Sequence, residues 1–139
     1  MPHLGKPQLS GPIALRGAEH PLYSIAIDPV GIVRISRLTV LTAEQVDDYL
    51  ETLTELLHLV RQRFQRVCVF ADLRGSPVRA QKAAEQLRIG NNELYRKGDR
   101  VALLVESSLL KLQLQRNIVP EYQALFTVAE DAEAWLRSA

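Results

Sequence analysis

The chain has 139 residues, of which 47% are apolar and 24% charged, and it carries a net charge of +1 at pH 7. This length and this balance are typical of one globular domain that is large enough to bury its own core. They argue against a nucleic-acid binder, because such proteins usually show a strong basic excess and often an aromatic stacking surface, whereas aromatic residues here make up only 6%.

The single cysteine and the lack of long apolar runs bear on location. Cys68 has no partner for an internal disulfide, which is typical of a reducing compartment. It lies within the apolar run 67–71, so we predict a buried, unreactive thiol. No apolar run approaches the ~20 residues that a membrane-spanning helix needs, and residues 1–7 lack the apolar core of a signal peptide. We therefore expect a cytoplasmic protein without membrane insertion.

The first twenty residues are rich in helix and strand breakers. Proline and glycine alternate there with short polar runs, which opposes both a helix and a central strand. We predict a flexible or extended N-terminal arm over 1–20, in which 13–15 could pair on a sheet edge. A single domain is predicted over 21–139.

A hairpin and a long helix are predicted next. Strands over 22–27 and 31–36 flank turn residues, and their alternating apolar side chains would face the core. Thr42 and Gln45 have the spacing of a capping box, which predicts a helix over about 43–63. Its inner face would be formed by apolar residues that recur every three or four positions: Val46, Leu50, Leu53, Leu57, Val60 and Phe64.

The remaining chain alternates strands and helices. The run 67–71 is apolar without alternation, as in strands that are covered on both faces. Ser76 is placed to cap the next helix with Pro77 at its first position, Gly90 is expected to weaken that helix, and Gly98 would end it. Further elements are predicted as a strand over 100–105, a helix from Ser107 to about Asn117, a strand over 125–128 and a helix over 130–137.

These elements predict an α/β fold in the order β-β-α-β-α-β-α-β-α. The sheet would have five strands, mostly parallel but mixed, with about four helices and with the first strand antiparallel at an edge. The leucine-rich third helix is apolar all round, which indicates burial on two sides, either in a homodimer or against the terminal helix. The leucines concerned are Leu109, Leu110, Leu112 and Leu114.

A binding site is expected where the parallel strands end. Ligands of open α/β sheets gather outside the carboxyl ends of the strands, and three predicted helix N-termini, at Thr42, Ser76 and Ser107, would favour an anion there. The residues that we place on this rim, as contacts for a ligand or a partner, are Arg37, Thr39, Asp72, Arg74, Gly75, Ser107 and Ser108.

No catalytic or metal-binding constellation is evident in the sequence. His3, His20 and His58 are scattered without ligand spacing, so we predict no metal site. Glycine-rich phosphate loops and nucleophile elbows are absent, and we expect no cofactor. Asp72 is the one candidate for a general base, and no second catalytic group accompanies it.

The order of elements, the turn Asp72-Leu73-Arg74-Gly75-Ser76 and the ending 126–136, with its Ala-x-Trp-Leu pattern, resemble the SpoIIAA-like (STAS-type) domains. The closest likeness is to the uncharacterised bacterial SpoIIAA-like proteins, and it would cover about residues 21–138. In classical anti-sigma-factor antagonists a serine that follows the third strand is phosphorylated, which releases a partner. By position, the resemblance implies that Ser76 is this switch.

Three functions follow from these observations. The first is a non-catalytic regulatory or protein-interaction domain, which acts with a protein partner through the rim and the second helix. The second is a small carrier of a lipid-like or anionic ligand, which a cavity under the helix near Gly90 would support. The third is an enzyme that uses Asp72 as a base.

Overall fold

A computed structural model describes residues 9–10, 17–36, 38–39, 41–76 and 80–138 of the chain. The described residues form an α/β fold with four helices and one mixed sheet. In chain order the elements are β1 (Leu9–Ser10), β2 (Gly17–His20), β3 (Tyr23–Ile27), β4 (Val33–Ser36), α1 (Ala43–Arg63), β5 (Cys68–Asp72), α2 (Gln81–Leu94), β6 (Arg100–Leu104), α3 (Ser108–Gln115), β7 (Gln123–Phe126) and α4 (Ala129–Arg137).

The sheet follows the order of the chain, from β1 at one edge to β7 at the other. Strands β1 to β4 pair antiparallel, and strands β4 to β7 pair parallel. All five predicted strands are present as β3 to β7. The count of five is wrong, because β1 and β2 add two strands within the predicted N-terminal arm, and β3 is therefore not an edge strand. The predicted pairing of 13–15 on a sheet edge concerns residues outside the described part of the chain.

The helices divide between the two faces of the sheet. Helices α1, α2 and α3 contribute to the larger core cluster, whereas α4 belongs to a smaller cluster with Phe70, Ala102 and Leu104. Strand β5 has Val69 in the first cluster and Phe70 in the second, so it is covered on both faces as predicted.

Helix α1 confirms its predicted bounds and its cap. The Thr42 backbone N–H donates to Gln45 Oε1 at 2.9 Å, and the Gln45 N–H donates to Thr42 Oγ1 at 3.2 Å. These bonds satisfy two of the donors that a helix N-terminus leaves free. The predicted inner face is buried at Val46, Leu53 and Val60, which pack on the sheet.

Helix α2 begins later than the sequence predicts. Its first residue is Gln81, and no side chain accepts a hydrogen bond at its N-cap. The prediction that Ser76 caps this helix is therefore wrong, and Pro77 lies outside the described residues. The helix runs without interruption through Gly90, where a β-carbon would lie 2.4 Å from a methyl carbon of Leu50 on α1. The two helices therefore approach closely at this position, and a larger residue would displace the Leu50 side chain.

Helix α3 confirms its predicted cap, but the terminal helix does not cover its second side as one of the two predicted alternatives required. The Ser107 hydroxyl accepts a hydrogen bond from the Leu110 N–H at 3.2 Å. Leu110 is fully buried, whereas Leu109 is 69% exposed and Leu112 is 55% exposed. The terminal helix cannot cover them, because α4 packs on the opposite face of the sheet.

Two polar features complete the fold. Cys68 is half-buried, with its sulfur 3.8 Å from the Leu136 carbonyl oxygen of α4. Asp99 is buried and forms an ion pair with Arg61 at 2.7 Å, which fixes the end of α1 to the turn before β6. Within the described part of the chain, no helix is both long enough and apolar enough to cross a membrane.

Candidate functional site

The rim at the carboxyl ends of β4 to β7 carries an ion pair between two of the predicted site residues. Arg74 donates from Nε to Asp72 Oδ1 at 3.0 Å and from Nη2 to Asp72 Oδ2 at 2.9 Å. The Arg74 N–H also donates to Asp72 Oδ1, at 3.1 Å. The hydrogen bonds from Arg74 lower the pKa of Asp72. A carboxylate held in this way is a poor general base, so the geometry does not favour the enzyme hypothesis.

Arg74 is the centre of a predominantly acidic group of side chains. Its pKa is raised first by hydrogen bonding to Asp72, and further by the charges of Glu106, which follows β6, and Glu130, at the start of α4. The charges of three carboxylates therefore act on one guanidinium at the rim, and one of the three, Asp72, contacts it directly. The net charge of this group is negative, so it does not favour the binding of an anion, which the helix N-termini had predicted. It favours the binding of a positively charged group instead.

Two of the helix N-termini on this rim, those of α1 and α3, have side-chain caps. The capping box occupies the start of α1, and the Ser107 hydroxyl occupies the start of α3. Thr39 is exposed, and its N–H donates to the Leu22 carbonyl oxygen at 3.1 Å. Ser108 and Gly75 are exposed, with Gly75 at a φ of +79°. Arg37 lies outside the described residues.

Ser76 connects two loops of the rim. Its hydroxyl donates to the Leu38 carbonyl oxygen at 2.8 Å, and its N–H donates to the Leu73 carbonyl oxygen at 3.0 Å. The side chain is half-buried. Ser76 thus ties the segment after β5 to the segment between β4 and α1.

Exposed apolar side chains extend from the acidic group along α3. Leu109 lies three residues after Glu106, and Leu112 lies three residues further on, so the two leucines share one face of the helix. We call Asp72, Arg74, Glu106, Glu130, Leu109 and Leu112 the rim surface. It joins two exposed leucines to an excess of negative charge.

A cavity of about 80 Å³ lies between α2, α3 and the sheet. Its apolar lining includes Ile35, Val69 and Leu103 from the strands. Carboxamide side chains from α2, α3, the α3–β7 connection and β7 also line it: Asn91, Asn92, Gln113, Asn117 and Gln123. The cavity combines an apolar floor with hydrogen-bonding groups, which is typical of small-molecule sites.

Sequence reasoning missed these carboxamides, although a signal for them was present. Asn91 lies seven residues after Ala84 and four after Leu87, which places it on the inner face of α2. Asn117 follows Gln113 by four residues in the same way. Amides on faces that otherwise point inward indicate a polar interior site, whereas the prediction from sequence at this place was only that Gly90 weakens the helix.

No metal centre accompanies either location: among the described residues, no three histidine, cysteine, aspartate or glutamate side chains are grouped so that they could hold a metal ion. The sequence matches no family model, and no curated protein or solved structure is significantly similar to it.

Proposed function

We propose that this protein is a non-catalytic regulatory domain of the SpoIIAA-like (STAS-type) kind, which binds a protein partner through the rim surface. The observation that carries the proposal is the juxtaposition of the acidic group around Arg74 with the exposed leucines of α3. An exposed apolar pair beside concentrated charge is typical of an interaction site. The cytoplasmic location inferred from the single cysteine belongs to the same proposal.

The charge of the rim surface selects the kind of partner. Glu106 and Glu130 would face basic side chains, since Asp72 is already paired with Arg74. Leu109 and Leu112 would be covered by apolar side chains. A homodimer through this surface would bring the carboxylates of two copies together, which costs free energy. We therefore propose a different protein with a basic and apolar segment, rather than a second copy.

Quantitative cross-linking in the source organism tests this proposal. Leu109→Asp should reduce recovery of the partner about tenfold or more, because it places a charge in an apolar contact. Val30→Asp is the matched control, since Val30 is 68% exposed in the β3–β4 turn at the opposite end of the parallel strands. Equal losses with both variants, or recovery of the chain's own copies alone, would contradict the proposal.

The proposal includes Ser76 as its switch. A phosphate there would remove the hydroxyl donor to the Leu38 carbonyl oxygen and add negative charge to the loop that carries Asp72 and Arg74. Ser76→Asp should weaken partner binding, because its carboxylate would face the Leu38 carbonyl oxygen that the hydroxyl now binds, and this repulsion would displace the loop that carries Asp72 and Arg74. Ser76→Ala should affect binding less, because alanine removes the hydrogen bond without this repulsion. Unchanged affinity in the Ser76→Asp variant would remove the switch from the proposal.

The cavity favours a second candidate function, the binding of a small ligand. It lies beneath α2, in the region where the sequence suggested a carrier site, and Leu87 and Asn91 both line it. Its volume of about 80 Å³ is too small for a lipid chain. Native mass spectrometry of protein purified from the source organism tests this candidate. A bound small molecule would support ligand binding. The mass of the chain alone, or of the chain with one phosphate, would favour the regulatory domain.

A further inference from the structure

Basic side chains collect at the end of the molecule opposite the rim surface. Helices α1, α2 and α3 each return the chain to the amino end of the next parallel strand, and α4 runs back to the same end from the carboxyl end of β7. The residues that end or follow these helices therefore meet there. We call the accessible cations among them the basic end: Arg63, Arg66, Arg96, Lys97, Arg116 and Arg137.

Few carboxylates neutralise the basic end. Asp28 and Asp99 lie nearby, but each is already paired with an arginine that does not belong to the basic end. Among the described residues, the exposed carboxylates that remain close are Glu93 and Glu121. Six cations thus stand beside two exposed carboxylates, so this end is positively charged although the whole chain carries only +1.

The fold uses only part of this charge. Arg66 Nη2 donates to the Ser138 carbonyl oxygen at 2.8 Å, beyond the last turn of α4. Arg63 lies in the last turn of α1, where a cation favours the helix dipole. Arg96 and Lys97 follow α2 in an exposed turn, and their side chains make no hydrogen bond or ion pair with the described part of the chain. Two neighbouring cations repel each other, so this pair does not stabilise the fold.

The basic end extends over an area rather than along a line. Arg63 and Arg96 follow helices on one face of the sheet, whereas Arg137 ends α4 on the other face. Arg66 precedes β5 and Arg116 precedes β7, and these two strands are about 10 Å apart at the usual strand spacing. Such an arrangement matches a planar array of anions better than a single polyanionic strand.

The aromatic residues also argue against a nucleic acid as the partner of the basic end. Within the described part of the chain, every phenylalanine, tyrosine and tryptophan is buried or half-buried. Bases would therefore find no exposed ring on which to stack, whereas lipid phosphates need only the charge.

We propose that the basic end docks this protein electrostatically on an anionic lipid surface, without insertion into the bilayer. The cations contact lipid phosphates, and the cytoplasmic leaflet of a membrane presents such lipids. The rim surface, at the other end of the parallel strands, then points away from the membrane and stays open to its partner. This docking uses no residue of the rim surface or of the cavity, so it goes beyond both proposed functions.

Cosedimentation of the full chain with lipid vesicles at about 0.1 M salt tests the proposal. We expect the protein to bind vesicles that contain phosphatidylglycerol, to leave them as the salt is raised to about 0.5 M, and not to bind vesicles of phosphatidylcholine alone. Lys97→Glu should weaken binding about 25-fold, because it removes one attraction and adds one repulsion of about fivefold each.

Lys82→Glu is the matched control. Lys82 is exposed like Lys97 and the substitution is the same, but about 18 Å of helix separates Lys82 from the end of α2. This separation exceeds the Debye length of about 10 Å at 0.1 M salt, so the control should change binding less than about twofold.

Several results would overturn the docking. Equal weakening by Lys97→Glu and Lys82→Glu would show that only net charge matters and would overturn the assignment to the basic end. Failure to bind the anionic vesicles, or equal binding to phosphatidylcholine alone, would overturn the lipid surface. Tighter binding to duplex DNA than to the vesicles at equal phosphate concentration would assign the basic end to nucleic acid instead. None of these results bears on partner recovery with Leu109→Asp, which tests the rim surface separately.

Discussion

Replacement of Asp99 by asparagine should destabilise the protein more than any substitution at the rim. Asp99 is 3% exposed and receives four hydrogen bonds. Two come from the Arg61 guanidinium, at 3.0 and 2.7 Å, and two come from the N–H groups of Val67 and Arg96, at 3.1 and 3.0 Å. One carboxylate thus joins the end of α1, the start of β5 and the turn before β6.

The magnitude follows from burial and from the loss of one acceptor. Asparagine keeps the shape but places an NH₂ group where Asp99 has an acceptor oxygen, so donors would face a donor. Removing one member of a buried ion pair costs roughly 3–5 kcal/mol. We expect the lower end, about 3 kcal/mol, because the Arg61 side chain retains 19% exposure and can recover some hydration.

Urea unfolding followed by the fluorescence of Trp135 measures this loss. With a slope of about 2 kcal/mol per molar urea, the midpoint should fall by about 1.5 M. Asp72→Asn is the matched control, because Asp72 also pairs with an arginine through two hydrogen bonds, but the two side chains are 27% and 50% exposed. Its loss should stay below about 1 kcal/mol. Similar shifts for the two variants would refute the reasoning from burial.

The stabilisation of the fold by the ion pair between Asp99 and Arg61 depends on pH. Burial pushes the pKa of Asp99 up, but the hydrogen bonds from Arg61 and from the Val67 and Arg96 N–H groups outweigh it, and the pKa is lowered. A lowered folded-state pKa stabilises the protein above the ordinary aspartate value of about 3.9, and this stabilisation is lost as the pH falls through the folded-state pKa. The stability difference between the native chain and Asp99→Asn should therefore shrink in strong acid. A constant difference down to about pH 2 would contradict the role of the charge.

Two further substitutions test local structure by the same urea assay. Gly31→Ala should cost about 2–4 kcal/mol, because Gly31 has a φ of +93° and a β-carbon would lie 2.7 Å from the Phe64 ring. Gly75→Ala should cost only about 1–2 kcal/mol, because Gly75 also has a positive φ, of +79°, but no atom lies within 4 Å of where its β-carbon would be. If both variants lose the same free energy of unfolding, the contact with Phe64 does not contribute. Thr42→Ala should cost about 1 kcal/mol through loss of the bond to the Gln45 N–H, and an unchanged midpoint would show that water replaces the cap.

The sequence predicted those features of the fold that depend on neighbouring residues. The apolar spacing from Val46 to Val60 and the Thr42–Gln45 box placed α1 within its observed bounds, because a helix face and its cap are local patterns. The unbroken apolar run of β5 likewise predicted a strand covered on both faces. Asp72 and Arg74 were placed together at the rim by the same local reasoning.

Only the tertiary structure decided how distant segments meet. Ser76 has the sequence of a helix cap, yet its hydroxyl is bound by the Leu38 carbonyl oxygen, which lies 38 residues earlier. The excess of negative charge at the rim arises because Glu106 and Glu130, which follow other strands, act electrostatically on Arg74. The cavity exists because α2 and α3 bring carboxamides over an aliphatic sheet surface. Such contacts depend on chain crossings, and no local periodicity encodes which residues the crossings bring together.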